Sequence, residues 1–206
     1  MIKIKVMLSC AVSALLLLMA GCANPVNRVT FKRYYTAGYV AENNKNYLAA
    51  KENYYRALVN ARIGNLEPQL EASAAYSLGR MLGIQCDLDN SEKLLLEALQ
   101  IDQKSNGPVH MSYFELARLN QAQQKYSEST AYFEKALPLV YNKEFIEADP
   151  IGMAGLFDEY SNALKLIGRQ ADAEKIASRA QLLRKEYPNR KAVVERTPYN
   201  ENCGKK

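Results

Sequence analysis

Four stretches of this 206-residue chain share one spacing of small and large apolar residues, and this recurrence constrains the fold more than any other feature. Counted from Phe31 as position 1, the first stretch places Gly38, Ala50, Tyr54 and Ala57 at positions 8, 20, 24 and 27. Those positions are occupied in the later stretches by Gly79, Ser91, Leu95 and Ala98, by Ala117, Ser129, Phe133 and Ala136, and by Ser161, Ala173, Ala177 and Ala180. A recurrence of this length predicts stacked helical hairpins.

The small residues have a physical role, because they let two helix backbones approach closely while bulky residues fill the space between layers. Gly38 and Gly79 stand inside predicted helices. A glycine at such a place costs about 1 kcal/mol relative to alanine. We therefore expect both glycines to face contacts too tight for a methyl group.

The pattern resembles the tetratricopeptide repeat family over about residues 31–184, although its repeats start 41, 38 and 44 residues apart instead of the family's 34. The segments 64–68, 105–108 and 142–150 contain the turn residues that would separate repeats. The resemblance implies an all-α solenoid of about four antiparallel hairpins over residues 31–187. A flexible tail is expected over 188–206, after Pro188 ends the last helix.

The first residues have the features of an export signal. Lys3 and Lys5 precede an apolar run over 6–19, which Ala20, Gly21 and Cys22 follow. The run is about fourteen residues long, whereas a membrane-spanning helix needs about twenty. We therefore expect a cleaved leader over 1–21, with an uncleaved anchor as the alternative.

The tetrad at 19–22, Met-Ala-Gly-Cys, resembles the lipobox of bacterial lipoproteins. The resemblance implies that Cys22 is acylated and becomes the first mature residue, followed by a linker over 22–30. Two or three acyl chains make anchoring durable. Ala23 and Asn24 stand where an Asp commonly retains such proteins at the inner membrane. The expected location is therefore the periplasmic side of the outer membrane, and a Gram-positive surface lipoprotein is the alternative.

Four cysteines remain to be assigned. Cys10 lies in the expected leader and Cys22 is expected to carry the lipid, so Cys86 and Cys203 are left. In an oxidising envelope they are a candidate disulfide, which would close a loop of over a hundred residues. Two unpaired thiols are the alternative. No CxxC spacing occurs, so neither a redox site nor a zinc site is indicated.

In tetratricopeptide proteins the first helix of each hairpin lines a binding groove. Transferring its exposed positions gives a candidate partner-binding set: Tyr35, Tyr39, Tyr76, Arg80, Phe114, Arg118, Gln121 and Asn162. Two arginines one repeat apart beside aromatic rings favour an acidic or aromatic peptide. The alternative is that these side chains pack and pair within the chain itself.

Sequence patterns of catalysis are absent. His110 is the only histidine, and neither a Walker loop nor a GxSxG or GxGxxG motif occurs. The DLDNSE segment at 87–92 predicts a helix start capped by Asp89 or Asn90. Neither enzyme activity, a metal nor a cofactor is expected. The net charge is +5, and basic and acidic residues are interleaved along the chain, which does not favour binding to nucleic acid.

Three functions fit these observations. The first is a lipid-anchored periplasmic scaffold that binds protein partners of the envelope, as in pilus, secretion, outer-membrane or cell-wall assembly. The second is an immunity protein or inhibitor that neutralises an incoming effector. The third is an enzyme or a small-ligand binder, which would need a polar pocket around His110 or around buried carboxylates.

Overall fold

The computed structural model describes residues 24–193, 196–199 and 203. The expected leader and the expected acylation of Cys22 lie outside these residues. The described part contains nine helices and no strand. The helices are α1 (Pro25–Asn43), α2 (Tyr47–Ile63), α3 (Pro68–Ile84), α4 (Leu88–Ser105), α5 (Val109–Ala122), α6 (Tyr126–Val140), α7 (Lys143–Ala148), α8 (Pro150–Leu166) and α9 (Gln170–Glu186).

Four helical hairpins form the solenoid, which confirms the predicted all-α fold. They pair α1 with α2, α3 with α4, α5 with α6, and α8 with α9, while the short α7 lies between the last two hairpins. Each turn inside a hairpin has three residues, and the central one has a positive φ. These central residues are Lys45, Cys86, Gln124 and Gly168.

The core consists of two buried clusters. One fills the first two hairpins and reaches the first helix of the third, with Tyr54, Met81 and Leu95 at most 1% exposed. The other fills the third and fourth hairpins around Phe133 and Phe157, which are 0% and 1% exposed. Because each hairpin is covered by its neighbour, the apolar faces are buried only in the stack.

The expected contacts at the two helical glycines are present. A Cβ on Gly38 would lie 2.8 Å from Cδ1 of Tyr54, and a Cβ on Gly79 would lie 3.0 Å from Cγ of Leu95. Tyr54 cannot withdraw easily, because its ring is buried and its hydroxyl donates a 2.8 Å hydrogen bond to Glu42. These glycines therefore set the spacing of the helices in the first two hairpins.

We expect Gly38→Ala to lower the free energy of unfolding by about 1–2 kcal/mol, since overpacking costs more than the helix propensity returns. Gly155→Ala is the matched control, because Gly155 lies in α8 and a Cβ there would meet no neighbour within 4 Å. The free energy of unfolding of that control should rise by up to about 1 kcal/mol, because alanine favours the helix more than glycine does. Urea unfolding measures both changes, and equal shifts of the same sign would contradict the tight-contact explanation.

Two expected boundaries need correction. The linker expected over 22–30 is helical from Pro25, with Asn24 accepting a 3.0 Å hydrogen bond from the Val26 amide. The first helical turn of α1 was not predicted from the sequence, because Val26 and Val29 are exposed and interrupt the apolar periodicity. The helix start at 88 is capped by Asp87, whose carboxylate accepts from the Asn90 amide, and not by Asp89 or Asn90.

The C-terminal end also differs from the expected flexible tail over 188–206. The last helix ends at Glu186, before Pro188, as expected. However, residues 196–199 and Cys203 lie against the repeats, where side-chain contacts and a disulfide fix them. Within the described part of the chain, no helix combines the length and apolarity that a bilayer crossing demands.

Candidate binding groove

The first helices of the hairpins, α1, α3, α5 and α8, line a polar groove that contains two cavities. One cavity, of about 560 Å³, lies between α1 and α3. The other, of about 320 Å³, lies between α3, α5 and α8. Residues 196 and 197 lie at the edge of both cavities, so the C-terminal segment crosses the groove.

Most of the candidate residues lie along this groove. Tyr35, Tyr39, Tyr76 and Arg80 line the first cavity, while Arg80, Arg118 and Gln121 line the second. Phe114 lines a neighbouring cavity of about 300 Å³. Asn162 is exposed on α8 and is not among the lining residues of these cavities.

The candidates differ in how much surface they offer. The Tyr39 side chain is 57% exposed, whereas Tyr76 and Phe114 are only 7% and 6% exposed. Gln121 donates a 2.8 Å hydrogen bond to the Glu159 carbonyl. Tyr39 therefore has an exposed face, whereas Tyr35 is half-buried against Phe31 and Tyr54, and Tyr76 and Phe114 act mainly in packing.

Both arginines are engaged by carboxylates of this chain. Arg80 lies 2.6 Å from Glu42 and 3.8 Å from Glu115, and its guanidinium lies over the Tyr76 ring. Arg118 lies 2.9 Å from Glu115 and 2.7 Å from Glu159. The side chains of Arg80 and Arg118 are only 13% and 15% exposed. The expectation of two arginines free to hold an acidic peptide is therefore corrected.

Glu115 is the centre of the groove. Its side chain is 3% exposed, and it contacts Arg80, Arg118 and Arg196. Its other oxygen accepts a 2.6 Å hydrogen bond from the Tyr199 hydroxyl. A carboxylate this deeply buried needs such partners, because an unpaired buried charge is strongly unfavourable.

The groove has a charge pattern that the candidate set did not reveal. The repeats contribute three carboxylates, on Glu42, Glu115 and Glu159, but only two guanidinium groups, on Arg80 and Arg118. Lys45 also lines the first cavity but is exposed. Arg196 of the C-terminal segment adds a third guanidinium group, which pairs with Glu115. Sequence reasoning missed these carboxylates, although Glu115 between Phe114 and Leu116 was a visible signal of a charge on an apolar face.

The C-terminal segment also fits the groove by shape. The Tyr199 ring rests on the backbone of Gly83, where a Cβ would lie 2.7 Å from its Cε1. Burial raises the pKa of the Tyr199 hydroxyl well above its usual range, so the phenol remains a hydrogen-bond donor. Beside it, Thr197 shares a hydrogen bond with the Tyr47 hydroxyl.

A disulfide joins Cys86 to Cys203, the pair that the sequence offered as a candidate. The two Cα atoms are 5.6 Å apart, and the bond spans 117 positions of sequence. Cys86 is the central residue of the turn between α3 and α4. It follows Gly83, on which the Tyr199 ring packs, by three residues. The bond therefore holds the C-terminal segment at the end of the groove.

His110 lies outside the groove and packs against an aromatic ring. Its ring meets Phe145 edge to face, with centroids 5.4 Å apart. No group of three or more potential metal ligands occurs in the residues that the structure describes. His110 therefore packs against an aromatic side chain between the third hairpin and α7.

Burial lowers the pKa of His110 below its ordinary value of 6.5. The folded chain then takes up this proton at a lower pH than the unfolded chain, so His110 makes folding less favourable as pH falls below that value. A proton NMR titration of the only histidine ring checks this without assignment of other signals. A midpoint at or above 6.5 would contradict it.

Comparisons with known proteins agree with this architecture. Residues 70–141, which cover most of the second and third hairpins, match the family model of the tetratricopeptide repeat. No curated protein sequence matches the chain.

Solved structures share the fold at low sequence identity. BtubC (BKLC) from P. vanneervenii superposes with a TM-score of 0.70 at 20% identity, covering 81% of this chain and 68% of that chain. The nearly identical TPR-like repeats of a putative kinesin light chain from Podospora anserina give a TM-score of 0.59 at 14% identity. That match covers 86% of this chain and 84% of that chain.

The fold is thus a tetratricopeptide-like helical solenoid, and residues 70–141 match the repeat itself. Solenoids of this kind present extended surfaces that bind other proteins. The fold therefore indicates a protein-interaction scaffold.

Proposed function

We propose that this chain is a lipid-anchored scaffold of the bacterial envelope, which binds protein partners through the groove. The observation that carries the proposal is the groove itself, where first helices from successive hairpins bring aromatic, cationic and anionic side chains to one surface. Arg and Tyr side chains of this kind dominate the binding energy of protein interfaces. Tyr39 offers such a side chain beside the first cavity, where it is 57% exposed.

The sequence supports the envelope location. The lipobox-like tetrad ends at Cys22, and α1 begins three residues later at Pro25. An acylated Cys22 would therefore place the first hairpin directly at the membrane surface. With Ala23 and Asn24 after the cysteine, the proposed site is the periplasmic side of the outer membrane.

Partner binding is tested by crosslinking in intact envelopes followed by capture of the tagged chain. Tyr39→Glu changes the groove, and Tyr55→Glu is the matched control, because both tyrosines lie on helices and are 57% and 58% exposed. Tyr55 belongs to α2, a second helix. We expect Tyr39→Glu to lose the crosslinked partners and Tyr55→Glu to retain them. Equal recovery by both variants would refute binding through the groove.

The anchor is tested separately by labelling cells with a fatty acid analogue and by fractionating their membranes. The unaltered chain should take up label and sediment with outer membranes. Cys22→Ser should do neither. Membrane retention of Cys22→Ser without label would indicate an uncleaved apolar helix instead of a lipid.

A further inference from the structure

We propose that the groove is a site for an extended protein segment with an arginine followed three residues later by a tyrosine. Residues 196–199 of this chain fill that site until the Cys86–Cys203 disulfide is reduced. This inference deepens the proposed function, on which it rests, by giving the chemistry of the partner segment and the condition under which it can bind.

The shape of the site argues for a ligand with a tyrosine. Gly83 lies in the last turn of α3, where a Cβ would also lie 3.0 Å from Oγ of Ser91. The absent methyl group leaves the space that the Tyr199 ring occupies, with Cδ1 only 2.8 Å from a Cβ at that position. The ring also packs on the first core cluster, and its hydroxyl reaches Glu115. The groove is thus built around an aromatic ring that comes from outside the repeats.

The charge of the site argues for an arginine at a fixed distance from that ring. Arg196 pairs with Glu115 and donates a 3.4 Å hydrogen bond to the Tyr76 hydroxyl. Without it, Glu115 has only Arg80 and Arg118 as cationic partners, and it shares them with Glu42 and Glu159. Arg196 and Tyr199 both contact the carboxylate of Glu115, so this one buried group binds both the arginine and the tyrosine of the segment.

The segment is an addition to the solenoid, because it follows the last helix and comes back over the groove between α3 and α5. Arg196 and Tyr199 lie 81 and 84 positions from Glu115 in the sequence. A tethered ligand competes at an effective concentration on the order of millimolar, so it blocks weaker external ligands. The bond from Cys203 to Cys86 closes the tether at its far end.

Opening requires thiol–disulfide exchange with a dithiol, such as a reduced protein dithiol of the envelope. One of its thiolates attacks a sulfur of the Cys86–Cys203 bond, and its second thiol resolves the mixed disulfide. Two electrons and two protons thus pass to Cys86 and Cys203, and the reductant becomes a disulfide. The released segment is then joined to the repeats only through the chain that follows α9, and it can exchange with a partner segment.

The test measures the binding of a labelled synthetic peptide, with the sequence of residues 193–202, to the full chain by fluorescence anisotropy. The oxidised chain should bind weakly. Cys203→Ser, and more so Arg196→Ala/Tyr199→Ala/Cys203→Ser, should bind at least about tenfold more tightly, since the tethered competitor is lost. Reduction of the disulfide in the unaltered chain should also increase its affinity for the peptide.

Controls show whether the peptide occupies the proposed seat. In the open triple variant, Gly83→Ala should abolish binding, because its methyl group takes the place of the tyrosine ring. Gly155→Ala in the same background should leave binding unchanged, since nothing lies within 4 Å of that glycine's Cβ position. Peptides with Arg196→Ala or Tyr199→Ala should bind at least about tenfold less tightly, as expected for hot-spot residues.

Two results would overturn the proposal. One is a folded Cys203→Ser chain, verified by circular dichroism, that binds the peptide no better than the oxidised chain. The other is equal binding in the Gly83→Ala and Gly155→Ala backgrounds. Because the experiment contains no envelope component, its failure would leave the partner capture at Tyr39 and the acylation of Cys22 unaffected.

Discussion

Glu115→Ala is expected to lower the free energy of unfolding by about 3–5 kcal/mol, the usual loss when one partner of a buried ion pair is removed. The carboxylate is 3% exposed and faces Arg80 and Arg118, whose side chains are themselves almost buried. Its removal takes a shared counter-charge from three guanidinium groups, those of Arg80, Arg118 and Arg196. It also leaves the Tyr199 hydroxyl without its acceptor.

Urea unfolding followed by circular dichroism gives the measurement, and Glu159→Ala is the matched control. Glu159 also pairs with Arg118, but its side chain is 36% exposed. Its loss should cost at most about 1 kcal/mol, because water screens an exposed ion pair. If Glu115→Ala and Glu159→Ala cost the same, Glu115 is not the electrostatic centre of the groove.

The parts of the fold that could be predicted depend on short-range periodicity. Gly38 and Gly79 were expected to face tight contacts because position 8 of each repeat meets the second helix of its own hairpin. The contacts are present, and Tyr54 and Leu95, each sixteen positions after its glycine, make them. The local pattern therefore determined both the hairpins and their closest approach.

The turns were less predictable, because their geometry is imposed by the packed helices. Each three-residue turn has a central residue with positive φ, yet only Gly168 lacks the Cβ that disfavours this conformation. At Lys45, Cys86 and Gln124 a non-glycine residue adopts it, at a cost of about 1–2 kcal/mol. Helix packing outweighs this local preference, so the residue type at these three positions does not indicate the positive φ.

The candidate site was predicted in position but not in chemistry. The positions of Arg80 and Arg118 follow from the repeat register, and both lie in the groove. Their partners Glu42, Glu115 and Glu159 come mainly from neighbouring repeats, so only the folded stack brings these charges together. The segment over 196–199 has no helical periodicity at all, and long-range contacts alone determine its place.

Reduction of the Cys86–Cys203 bond is expected to lower the free energy of unfolding by about 5 kcal/mol. The bond spans 117 positions, and closing a loop of about a hundred residues removes that much conformational entropy from the unfolded chain. The loop contains the whole of α4 to α9, so the restriction acts on more than half of the described helices.

Urea unfolding of the oxidised chain, with and without a reductant, measures this difference. Cys86→Ser/Cys203→Ser is the control, and it should unfold with the reduced chain and show no response to the reductant. Loss of the C-terminal contacts adds to the effect, because Arg196 and Tyr199 leave Glu115 with fewer partners when the tether opens. The same midpoint for the oxidised and reduced chains would mean that the bond neither restrains the unfolded chain nor holds the segment in the groove.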